Sequence, residues 1–158
     1  MTSLGRDLKA HTRADYAMDV TAIVAGSPGS GDAAAITGET IDLQGKAKAE
    51  SVVFEIPCYA DLDNAETLTV TGYIEYSAAG VTFTALATAA TLLTLTGDSV
   101  SGGSEETGVA RIGADLNLLD RYIRVIITPD LSADDTDTAN IGAGVAVFGG
   151  LQEAPQTS

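Results

Sequence analysis

Side chains alternate between apolar and polar along most of this chain, in short runs separated by Gly, Ala, Ser and Asp. The clearest run is residues 67–76. Leu68, Val70, Ile74 and Tyr76 point one way; Thr67, Thr69, Thr71, Tyr73 and Glu75 point the other. A period of two makes a sheet with one buried and one wet face. Other runs read as strands at 19–24, 39–43, 51–59, 81–86, 92–96, 109–112, 121–128 and 140–148. Pro57 lacks a ladder donor, so its strand is expected to end there or lie at an edge. Residues 77–80 read as a hairpin turn. Residues 97–108 and 129–139 read as polar loops, and 115–120 as the one helical turn. In 121–128 the β-branched run Ile-Arg-Val-Ile-Ile-Thr predicts a central strand buried on both faces near its end. In 140–148 the glycines at 142 and 144 allow a bulge or the close approach of another backbone.

Eight or so strands spaced roughly 8–12 residues apart, without helix-period segments, predict an all-β antiparallel sandwich or barrel rather than an α/β fold. The length suits one domain. Residues 1–25 read as an N-terminal arm, extended to about Tyr16 and ending in a first strand. Residues 26–32, with Ser27-Pro28-Gly29-Ser30-Gly31-Asp32, read as a hinge, 33–150 as the sandwich and 151–158 as a polar tail.

Composition narrows the function. The chain carries a formal charge of −14. Phosphate contacts need Lys and Arg, so nucleic acid and anionic membrane are disfavoured as partners. High like charge suits a protein soluble at high local density. Three of the eight basic residues, Arg6, Lys9 and Arg13, fall in the first thirteen positions, making the arm basic in an acidic protein. No apolar signal-peptide core opens the chain, and no apolar run is long enough to span a bilayer.

Reactive chemistry is sparse. The single histidine, His11, lies in the arm, where nucleophile–base geometry is hard to hold. The single cysteine, Cys58, follows Pro57 in a strand with no base beside it and reads as a small buried apolar residue. Carboxylate pairs occur by chance among 22 acids, and a glycosidase would want aromatic platforms that a chain without Trp lacks. Two acidic clusters could offer oxygen ligands to calcium: Asp61, Asp63, Asn64 and Glu66, and Asp130 with Asp134, Asp135 and Asp137. Neither has EF-hand spacing, and Asp and Asn cap turns for local reasons. Gly102-Gly103 is followed by Glu105 and Glu106, which repel phosphate. No enzyme, cofactor or metal is expected. Arg121, Tyr122 and Arg124 form a basic-aromatic knot; Arg121 is expected to pair with a nearby Asp, and Arg124 is read either that way or as an inter-subunit bridge.

The segments Tyr73-Ile74-Glu75-Tyr76, Val81-Thr82-Phe83-Thr84-Ala85-Leu86 and Arg121-Tyr122-Ile123-Arg124-Val125 stand in a distinctive order. They are completed by Asp130-Leu131-Ser132, Thr136-Asp137-Thr138 and Val147-Phe148-Gly149-Gly150. Over about residues 50–155 the pattern resembles the capsid decoration, or cement, proteins of tailed bacteriophages, of the marine siphophage type. The resemblance implies a jelly-roll-like sandwich that forms homotrimers on the outer surface of the virion head. There it would bridge neighbouring major capsid protein subunits and stabilise the capsid, after synthesis in the host cytoplasm. Some such proteins reach across the lattice with an N-terminal arm; here Leu4, Arg6, Leu8, Lys9, Arg13 and Tyr16 are the expected capsid-contacting residues. Two other readings are a tail or head–tail connector β-protein and a carbohydrate-binding β-sandwich module. The first usually carries a long stacking hairpin. The second needs exposed aromatics on one face, whereas Tyr73 and Tyr76 alternate.

Overall fold

Strands β5 (Ser51–Leu62) and β6 (Thr67–Ser77) turn the sequence alternation into two layers: along most of each strand every second residue is buried and the residues between are half-buried or exposed. The computed structural model describes residues 12–26, 33–44, 49–132 and 136–150. The remaining strands are β1 (Arg13–Met18), β2 (Thr21–Val24), β3 (Ile36–Thr37), β4 (Ile41–Asp42), β7 (Thr84–Ala85), β8 (Ala90–Thr96), β9 (Ser104–Asp115), β10 (Tyr122–Leu131), β11 (Thr138–Ile141) and β12 (Gly144–Gly149). A 3-10 turn at Leu116–Leu118 sits where the helical turn was expected, with the Asp115 carboxylate accepting from Asn117 N at 2.8 Å. Among the described residues no helix is long and apolar enough to cross a membrane.

Several short strands lie end to end beside one long neighbour. β12 and β11 share one flank of β5, and β9 takes the whole of the other. β1 and β2 line the outer side of β12 and β11. In the second sheet, β3 and β4 flank β10, β10 pairs along β6, and β7 and β8 share the far side of β6. Counting end-to-end strands as one rank gives eight antiparallel ranks in chain order. The first sheet reads 1-8-3-6 and the second 2-7-4-5. This interleaving is the jelly roll: two Greek keys folded over one core. Phe54, Ile56, Leu62 and Phe148 from the first sheet are fully buried with Leu68, Ile74, Ile123 and Ile127 from the second. Side chains of this size contribute about 1.5–3 kcal/mol each when buried. Val125, Ile126 and Ile127 are all buried, so β10 is the expected two-faced central strand.

The structure departs from the sequence reading at five places. Pro57 neither ends β5 nor lies at an edge. Its carbonyl accepts from Gly142 N at 2.9 Å, on the flank where β11 gives way to β12, so its missing N–H falls at a gap in the ladder. Residues 104–108, expected in a loop, begin β9. Their inward position Gly108 lies under Leu93 and Leu95, and a Cβ there would come within 2.9 Å of Leu93, so composition hid a strand with small inward residues. Residues 81–86 keep only Thr84–Ala85 as strand. Val81 is 85% exposed, and the Phe83 ring stacks on the Arg124 guanidinium at 3.9 Å instead of entering the core. Residues 129–131 continue β10, and 138–139 already belong to β11. Finally, 140–148 is two strands: Ile141 is buried, but past the Gly142–Ala143 turn the buried set becomes Gly144, Ala146 and Phe148. The turn shifts the alternation by one residue.

The arm needs a new boundary. Arg13 and Tyr16 were expected in an extended arm, yet they stand in β1, paired with Phe148 and Val145 of β12. Ala17 and Met18, at the end of β1, are buried. Leu4, Arg6, Leu8, Lys9 and His11 lie outside the described residues, as do 27–32 of the expected hinge and the tail 151–158.

Candidate functional site

Among the described residues, the isolated reactive groups are occupied by local structure. Cys58 lies on the inward face of β5, its Sγ 3.4 Å from the Ile56 carbonyl, and burial pushes its thiol pKa up. A buried neutral thiol is a poor nucleophile. Tyr16, half-exposed on β1, donates to Asp19 Oδ1 at 2.5 Å, and that bond holds its phenol pKa above the ordinary value. Arg13 pairs with Asp15 at 3.1 Å. Arg121 pairs with Asp42 at 2.7 Å and lies over the Tyr122 ring. Arg124, the open case, pairs with Glu75 across the β6–β10 ladder at 2.7 Å. All four described arginines are therefore matched within the chain, Arg111 by Glu55.

Tyr73 and Tyr76 do lie on opposite faces of β6, Tyr76 packing against the core cluster, so they form no aromatic platform.

The described members of the two acidic clusters, some seventy residues apart in sequence, meet at one pole of the sandwich, while Asp134 and Asp135 lie outside the described residues. There the β5–β6 turn, the β8–β9 loop and the β10–β11 connection come together around an open cleft lined by Asp61, Leu62, Asp63, Gly102, Thr136 and Asp137. Asp137 joins two of these elements: its Oδ1 accepts from Asp63 N at 2.9 Å, and its Oδ2 is buried without a hydrogen-bond partner. Burial is the main cause raising the Asp137 pKa, with repulsion from Glu66 and Asp63 adding to it. Around it, Asp63 Oδ1 caps Asn64 N, Ser132 Oγ bonds the Glu66 carboxylate, and Ser104 Oγ accepts from Asp98 N while donating to Glu106. Gly103 closes the loop at φ 62°, where a Cβ would stand 1.9 Å from the Leu62 carbonyl. Gly103 thus serves close backbone approach. Among the described residues no group of three His, Cys, Asp or Glu side chains is placed to hold a metal ion. Sequence reasoning named the acids of both clusters but not Asp98, and could not bring the clusters together; the signal was the absence of any Lys or Arg between Lys48 and Arg111 and after Arg124.

What remains is surface. Of the large apolar side chains that stand exposed, Tyr16, Val20, Val24 and Val109 belong to the two edge ranks of the first sheet or the bend between β1 and β2.

No protein-family model matches the chain, and no curated protein matches it. Solved structures do. The chain is similar to the structure of infectious bursal disease virus, Gx strain, at 13% identity and a TM-score of 0.50, over 87% of this chain and 31% of that one. A VP2 subviral particle of the same virus matches at 16% identity and a TM-score of 0.48, over 98% of this chain and 39% of the other. The PBSX exported protein XepA matches at 16% identity and a TM-score of 0.41, over 92% and 40%. The chain spans well under half the length of each, and at these identities what is shared is the fold: an all-β, jelly-roll-like sandwich of the kind seen in a virus particle.

Proposed function

We propose that this chain is a structural virion protein that decorates the outside of a phage capsid and stabilises it by bridging neighbouring major capsid protein subunits, as a homotrimer. The observation that carries the reading is the 1-8-3-6 over 2-7-4-5 jelly roll, a fold shared with a virus structure, on a chain whose described histidine-free, cysteine-buried surface holds no reactive constellation. A brace requires rigidity, solubility at high density and many weak contacts acting together. The jelly roll supplies the first and the acidic surface the second. The basic residues preceding β1, Arg6 and Lys9, with Leu4 and Leu8, are the proposed coat contacts, joined by Tyr16 on the adjoining edge strand.

The test is co-sedimentation of the purified chain with undecorated heads. The truncation must stop before β1, because removing residues through 18 strips a strand from β12 and two buried side chains from the core. Deleting residues 2–12 is expected to leave the thermal midpoint within a few degrees of the full chain and to weaken head binding at least about tenfold. Full binding by this truncation removes the arm from the proposal; no binding by the intact chain removes the decoration role.

A further inference from the structure

At the acidic pole the fold assembles one cleft from segments that carry no site alone. Asp61 and Leu62 end β5, Asp63 follows them, Thr136 and Asp137 lead into β11, and Gly102 precedes β9. The open cleft between them measures about 220 Å³, room for an ion and several waters at about 30 Å³ each. Its side-chain oxygens are the carboxylates of Asp61, Asp63 and Asp137 and the hydroxyl of Thr136. Asp137 is only 1% exposed. Its Oδ1 accepts from the Asp63 amide at 2.9 Å and from the Thr136 hydroxyl at 3.4 Å, while its Oδ2 is buried with no donor. A buried carboxylate oxygen is costly unless a donor or a cation meets it. The four described arginines are paired elsewhere, and Glu66 adds further negative charge around Asp137.

We propose that this cleft binds a calcium ion, with Asp137 Oδ2 as the buried anchor and the Asp61 and Asp63 carboxylates beside it. The choice of ion follows from the donors. They are hard oxygens, with no described Cys or His lining the cleft, which disfavours metals that select thiolate or imidazole. No three described acids are placed to cage a metal by themselves, so backbone carbonyls and water must complete the shell. Calcium accepts such a shell of about six to eight oxygens in flexible geometry, whereas magnesium holds to a strict octahedron. So few carboxylate ligands suit a dissociation constant of about 10⁻⁴–10⁻³ M. The assignment goes beyond the virion reading and does not rest on it, because it concerns the isolated chain.

Calorimetric melts of the full chain, treated with EDTA and dialysed into about 0.15 M NaCl to screen exposed charge, test it. Calcium chloride at about 5 mM is expected to raise the thermal midpoint by about 3 °C or more, and magnesium chloride by less than half as much. Asp137→Asn is expected to melt above the parent without calcium and to lose the calcium-dependent rise, so that calcium closes or reverses the gap between them. Isothermal titration is expected to show calcium binding at least about tenfold weaker in Asp137→Asn. Asp61→Asn, at an exposed position, is expected to weaken the response too, and reads the same cleft should Asp137→Asn fail to fold. Asp120→Asn, beyond the opposite end of β10, is expected to respond like the parent. A midpoint indifferent to calcium, an equal rise with magnesium, or a folded Asp137→Asn that keeps the parent's response overturns the proposal. A chain that binds calcium but ignores heads leaves this site standing without the virion reading, and a chain that binds heads but ignores calcium does the reverse.

Discussion

Asp137 is the residue where the chain departs furthest from minimal polar cost. It is the buried carboxylate that ties the β5–β6 turn to the β10–β11 connection, yet one of its oxygens has no partner. Its pKa is raised in the folded chain, so folding favours the protonated form. A raised acid of this kind lends stability as the pH falls through its folded pKa and withdraws it toward neutrality, where the charge must be buried. Asp137→Asn retains an oxygen for the Asp63 amide and removes that charge. It is expected to stabilise the protein by about 1 kcal/mol near neutral pH, the gain shrinking as the pH falls into the carboxylate range. Thermal melts across pH measure both; a destabilised variant, or a gap that widens at low pH, contradicts the account. The sequence marked Asp137 as one acid among several, because burial and the distant amide depend on a contact across 74 residues.

At the scale of elements, two positions show how local rules yield to ladder geometry. Pro57 sits in a fully paired strand because its vacant donor position meets the junction between β11 and β12. Pro57→Ala is therefore expected to change stability by less than about 1 kcal/mol, since no ladder bond is waiting to be restored. Chemical denaturation measures it, and a gain well beyond that range would show an unfilled acceptor. Gly142 is the opposite case. Its φ is 109° and a Cβ would lie 2.4 Å from the Asp19 carbonyl, so it turns β11 into β12 where the β1–β2 bend crosses. Gly142→Ala is expected to cost about 2 kcal/mol or more, combining positive-φ strain with a backbone clash; an unchanged denaturation midpoint would refute this. The alternation of 67–76 was readable because one face of β6 is wet along its length. That of 140–148 misled because a turn reverses its phase midway, and period two carries no mark of such a reversal. Residues 104–108 misled because an edge strand with Gly inward has the composition of a loop.

For the whole molecule, charge is distributed unevenly. The described arginines are each paired, while the acidic pole faces Asp61 against Glu105 with no cation nearby in sequence. Like charges directly opposite on adjacent strands destabilise a sheet, and exposed repulsion is screened over a Debye length of about 8 Å at physiological salt. The thermal midpoint is therefore expected to rise from low salt to about 0.15 M NaCl. A flat or falling profile in differential scanning calorimetry would mean that the pole is neutralised some other way.

The side-chain pattern alone narrowed the chain to an antiparallel all-β sandwich or barrel with a two-faced central strand at 121–128. Period two and residue type are local properties, and they survive folding. Which strands share a rank, where the arm ends, how Pro57 is tolerated, and that two distant acidic clusters meet at Asp137 were settled only by the fold. Each depends on the register between segments far apart in the chain, and register is fixed by the packing of the core rather than by any single segment.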